Sequence, residues 1–137
     1  MSTLDIVDEL AALLEPDPTL RDDSGARPVT FAANTLYAWP RVDRMAEEGD
    51  GTLDQITFAV RVAWAADAEV EISQEERDRA TTQAIQDKAD SFKATLRAHR
   101  TGTTYQDVHA DQIDWESLIT NSVRGFYLDL SGFVIQS

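Results

Sequence analysis

Asp107, His109 and Asp111 stand two apart in the stretch YQDVHADQ. Alternate residues of an extended strand share a face, so two carboxylates and an imidazole would converge there and offer donors of the kind a divalent ion takes. In so acidic a chain the same pattern describes a strand face turned to water, and that is the reading adopted. Asp67, Glu69 and Glu71 alternate in the same way. Paired carboxylates serve glycoside hydrolysis, but a row leaving a strand reads as a solvent-facing or lumen-facing one. His99, beside Arg100, falls near an expected helix end, where positive charge complements the helix dipole. There is no glycine-rich phosphate loop, no cysteine and no serine in a nucleophile-elbow context. The sequence is therefore read as non-enzymatic, with no catalytic residues, no cofactor and no metal centre.

The chain carries a formal net charge of -13 over 137 residues. Such a surface opposes adhesion to a nucleic-acid backbone, because that binding relies on Lys and Arg displacing condensed counterions. It suits a wall past which DNA slides, since carboxylates repel phosphates whatever the base sequence. A hydrophobic content of 42% supplies one modest core in one domain, residues 1–137. The absence of cysteine excludes disulfides and thiolate metal sites. No apolar run approaches the roughly 20 residues that span a bilayer, and MSTLDIVDEL has neither the basic nor the hydrophobic region of a signal peptide. A soluble protein made in a cytoplasm, without membrane contact, is the expectation.

The elements that must position these residues are legible from periodicity. Leu4, Val7, Leu10, Ala11 and Leu14 fall on one helical face behind an N-capping Thr3, and Pro16 stops the run. Residues 15–34 hold three of the four prolines and form a long loop, ending in a brief strand over 29–32. TLYAWPRV, residues 35–42, has strand composition, and Pro40 places it at an edge or a strand end. In QITFAVRVAW, residues 55–64, Ile56, Phe58, Val60, Val62 and Trp64 form a core face, and Thr57, Ala59, Arg61 and Ala63 a nearly bare one. These two strands should pair. Between them residues 43–54, with Gly49 and Gly51, form a projecting acidic arm. Residues 65–72 read as an acidic connector, after which SQEE forms a capping box. It opens a long helix whose Ile85, Ala89, Phe92 and Leu96, with Ala84 beside them, cover the core strand before Gly102 ends it. Residues 113–119 and 123–135 read as the last strands, joined by a turn at 120–122; in the second, Phe126, Leu128 and Leu130 share one face, Tyr127 and Asp129 are polar-tipped on the other, and Ser131 and Gly132 suggest a bulge. The expectation is an α+β two-layer sandwich in the order helix, strand, strand, helix, strand, strand. Two helices would pack on one face of a mixed four- to five-stranded sheet.

That order of elements, with TLYAWPRV, QITFAVRVAWAA, the helix start SQEERDRA and the closing SVRGFYLDLSGFVI, resembles the tail terminator, or tail-completion, proteins of long-tailed bacteriophages. The resemblance spans most of the chain and lies in layout and strand character. It implies a virion protein at the head-proximal end of the tail, assembled in the host cytoplasm. Such a protein forms a homohexameric ring that caps the tail tube, stops its polymerisation and offers a head–tail joining surface. The implied partners are the chain itself, the tail tube protein and a head-proximal connector or stopper protein, with DNA passing transiently through the lumen.

On that reading Thr57, Ala59, Arg61 and Ala63 meet a neighbouring subunit, with Arg61 pairing an acid there; an exposed sheet face is the other reading of the same residues. Glu47, Glu48, Asp50, Asp67, Glu69 and Glu71 face the lumen or a partner. Another neck component, a head-completion or connector protein, is the alternative function. A small hydrolase or ligand-binding domain is the third class, for which no convergent polar cluster is found.

Overall fold

The computed structural model describes residues 3–28, 30–41, 47–48, 55–67, 74–114 and 123–135. In chain order these form helix α1 (Thr3–Leu14), a single 3-10 turn (Pro18–Leu20), strand β1 (Tyr37–Pro40), the two-residue β2 (Glu47–Glu48) and the long β3 (Gln55–Asp67). Helix α2 (Gln74–Ala98), β4 (Tyr105–Asp114) and β5 (Val123–Val134) follow. The fold is α+β. The strands lie in the order β1-β3-β5-β4, with β2 against β3. All of their pairings are antiparallel, where a mixed sheet was expected. The physical reason lies in the α2 crossover. It returns the chain as β4 in the same direction as β3, but one strand-width away, and β5 fills the gap running opposite to both.

The alternation in β3 translates directly into packing. Phe58, Val60, Val62 and Trp64 are buried together with Phe126, Leu128 and Leu130 of β5, and with Ile85, Ala89, Phe92 and Leu96 of α2. The same cluster takes in Ile6, Val7, Leu10, Ala11 and Leu14 of α1. The Phe92 ring lies 5.9 Å from that of Phe126, and the Phe58 ring 6.2 Å from that of Tyr105. Leu4, expected in this core, is 50% exposed while Ile6 is fully buried. Ile6, Val7, Leu10, Ala11 and Leu14 fit one arc of the helix, and Leu4 falls at its margin, beside Gly25 of the following loop. Ala84 is likewise exposed.

Other boundaries differ from the sequence expectation for reasons that lie in strand partners. β3 continues through Asp67 instead of yielding to a connector at Ala65, because β5 pairs with it residue for residue down to Asp67 and Val123. β4 begins at Tyr105, well before the expected start at Ile113; residues 115–122, which carried the rest of that strand and its turn, lie outside the described residues. The irregularities fall in β4 and not at Ser131 and Gly132: its register against β5 shifts between Gln106 and His109 and again between Ala110 and Gln112. Asp107, inside the first shift, has φ 54°. Each shift puts an extra residue on β4 and breaks the two-residue period that the sequence suggested. Residues 30–32 form no strand, and Val29 lies outside the described residues. Of the arm at 43–54, only Glu47 and Glu48 are described, pairing with Ile56 and Gln55. Ser73, the expected cap of α2, also lies outside the described residues.

Candidate interface on the second face of the sheet

The register places Tyr37 and Trp39 of β1 beside Ala63 and Arg61 of β3, and these beside Tyr127 and Asp129 of β5. Strand alternation sends all of them to the face opposite the main core. Tyr37, Trp39, Ala63, Ala65 and Tyr127 make a second buried cluster, with Phe31 and Ala33 of the preceding loop packed on it. The rings of Phe31 and Tyr37 meet edge-on at 5.2 Å and those of Trp39 and Tyr127 at 6.0 Å. The loop is held there by backbone geometry. The Asn34 amide donates to the Ala65 carbonyl at 2.7 Å, and the Ala32 amide donates to the Tyr37 hydroxyl at 2.9 Å. Asn34 has φ 57°, a left-handed conformation that Asn tolerates better than most residues. This half of the face is covered by the chain itself.

The centre of the face is an ion cluster. Arg61 Nε donates to Asp129 Oδ1 at 2.7 Å and Arg61 Nη2 donates to Asp129 Oδ2 at 3.1 Å, while Arg41 Nη1 donates to Oδ2 at 2.9 Å. The two nitrogens of Arg61 thus hold Asp129 in a fork, and its guanidinium also lies 4.9 Å from the centroid of the Tyr127 ring. The hydrogen bonds to Asp129 outweigh the desolvation of Arg61 and hold its pKa above the ordinary arginine value. The partner expected on a neighbouring subunit is therefore supplied in cis, 68 positions along the chain. Of the four residues assigned to a contact, Ala63 is fully buried and Ala59 nearly so, whereas Thr57 and Arg61 keep exposed surface. Thr57 stands opposite the half-buried Phe133, which the sequence reading did not include. Asp129 and Tyr127 were legible only as polar-tipped residues of the last strand.

The acidic residues are not gathered into one site by the described structure. Glu47 and Glu48 lie in β2 and Asp67 at the end of β3, while Asp50, Glu69 and Glu71 lie outside the described residues. The spacing of Asp107, His109 and Asp111 does bring two side chains into contact: His109 Nε2 is 3.0 Å from Asp111 Oδ1. The Asp107 side of His109 is different, because Nδ1 lies 3.1 Å from the Asp107 backbone carbonyl and must donate to it. Nε2 then accepts from the Ser131 hydroxyl, 3.1 Å away, when the ring is neutral, and donates to Asp111 when it is protonated. Serine and carboxylate compete for one nitrogen, whereas a catalytic relay needs them on opposite nitrogens. Among the described residues no group of three His, Cys, Asp or Glu is placed to hold a metal ion. Among the described residues no helix is long and apolar enough to cross a membrane. No protein-family model and no curated protein matches this sequence.

Proposed function

We propose that this chain is a structural ring protein of a bacteriophage tail, a terminator that caps the tube, stops its growth and offers the head a joining surface while letting DNA pass. The observation that carries this reading is the second sheet face. Its less covered end leaves part of Thr57, Arg61 and Phe133 exposed, with aromatic and arginine groups close behind. Aromatic and arginine residues are enriched at protein interfaces. In this reading the two helices form one layer and the sheet the other, and the uncovered face meets a neighbouring subunit. The order of elements and the strand stretches quoted above support the terminator assignment among such proteins.

A tube grows by stacking equivalent rings, so stopping it requires a ring that matches the tube on one side and differs on the other. Phage lacking this protein should make filled heads that stay unjoined to tails, with tubes of excessive and uneven length in electron micrographs. Tails of uniform normal length in the deletion overturn the terminator reading and favour a head-completion or connector protein, which acts after the tube has stopped.

A further inference from the structure

A groove of about 380 Å³ runs between α2 and β4, with Leu96, Val108, Ile113 and Leu128 among its lining residues. Lys93, Arg97 and Arg100 also line it, against one carboxylate, Asp111. None of the three cations forms an ion pair with a described residue, although acids outnumber bases in the chain by 25 to 12. The helix dipole accounts for a cation in the last turn, such as Arg97, but not for a row that starts at Lys93 and continues past Ala98 to Arg100. Leu96, Val108 and Leu128 are almost fully buried, and Ile113 keeps exposed surface; an unneutralised cationic wall beside Ile113 fits an acidic peptide that also carries an apolar side chain.

Resting on the ring reading, we infer that this groove receives the acidic arm, residues 43–54, of a second copy of the chain. The arm's sequence DRMAEEGDGTLD supplies both chemistries: Met45 for Ile113, and Glu47, Glu48 and Asp50 for the cations. Placement agrees as well. β2, within the arm, pairs with β3 beyond the end of β1, and the groove lies at β4 on the opposite edge of the sheet. A ring needs such a heterologous contact, in which two different surfaces on opposite sides of one subunit fit each other.

Charge reversal tests the pairing in the full chain. Arg97→Glu/Arg100→Glu gives a subunit whose groove and arm are both acidic; Glu47→Arg/Glu48→Arg/Asp50→Arg gives one whose groove and arm are both basic. Assembly is read by native mass spectrometry and sedimentation, with circular dichroism confirming that each variant is folded. Each variant alone should assemble at least about tenfold more weakly than wild type, because like charges then meet at every contact. An equimolar mixture should regain assembly, since alternating subunits restore opposite charge at every contact. Variants that assemble as wild type does, or a mixture that stays dissociated, overturn the groove–arm contact and leave the ring intact. A wild-type chain that remains monomeric overturns both.

Discussion

Removal of the Asp129 carboxylate tests whether the ion cluster holds the second face of the sheet. Asp129 is 8% exposed and accepts three charge-assisted hydrogen bonds, from Arg61 at 2.7 and 3.1 Å and from Arg41 at 2.9 Å. Deleting one partner of a fully buried ion pair costs about 3–5 kcal/mol, chiefly because the remaining charge loses its compensation. Here the Arg61 and Arg41 side chains keep 24% and 17% of their surface, so water replaces part of what is lost. Asp129→Ala should therefore cost about 2–3 kcal/mol, which lowers the melting temperature by roughly 10 °C. Asp129→Asn keeps the shape and one acceptor oxygen and should cost about half as much. Urea titration at neutral pH gives both values. Adding Arg61→Met to Asp129→Ala should recover part of the loss, because the stranded guanidinium disappears with it. A cost below about 0.5 kcal/mol for Asp129→Ala, with an unchanged denaturant slope, would refute the argument. The same cluster makes Arg61→Glu a poor probe of assembly, because the new carboxylate faces Asp129 and destabilises the subunit itself.

Phe92→Ala should cost about 4 kcal/mol in the same titration, since the ring is 1% exposed and packs on Phe126, whereas Thr57→Ala at the half-exposed margin should cost less than about 1 kcal/mol; equal losses would mean that the two sheet faces are reversed. Gly125→Ala should cost about 3 kcal/mol, because a Cβ there meets the Trp64 carbonyl and the Ala65 backbone of the paired strand, and a melting temperature equal to wild type would show that the strands separate freely at that point. Glu9 gives a pH dependence: partial burial opposes its charge, but the Thr103 and Thr104 amides and hydroxyls outweigh that and lower its pKa below the ordinary carboxylate value. Because the folded pKa is the lower one, its stabilisation is complete above the ordinary glutamate range and fades as pH falls through the folded value. The stability gap between wild type and Glu9→Gln should narrow as pH is lowered from neutrality, and a gap that widens would contradict the assignment.

The amino-acid sequence by itself determined the parts of the fold whose cause is local. Alternation over residues 55–64 marked which side of β3 enters the core, and the Ile85, Ala89, Phe92 and Leu96 spacing marked the face of α2 that joins it. Both follow from the fixed periods of strand and helix, which any one segment displays without its partner. Phe126, Leu128 and Leu130 were legible for the same reason. Tertiary structure alone decided what depends on a partner. The alternation of Asp107, His109 and Asp111 suggested a strand face, but two register shifts break its period, so the start of β4 at Tyr105 and the residues it turns inward appear only once β5 lies beside it. The Glu9 clasp on Thr103 joins residues 94 positions apart, and Arg61 meets Asp129 across 68. Periodicity tells a residue which way to face. Register, set when β3 and β5 pair along their whole length, tells it whom to meet, and it turned Arg61 from a charge awaiting a neighbouring subunit into one already held by its own chain.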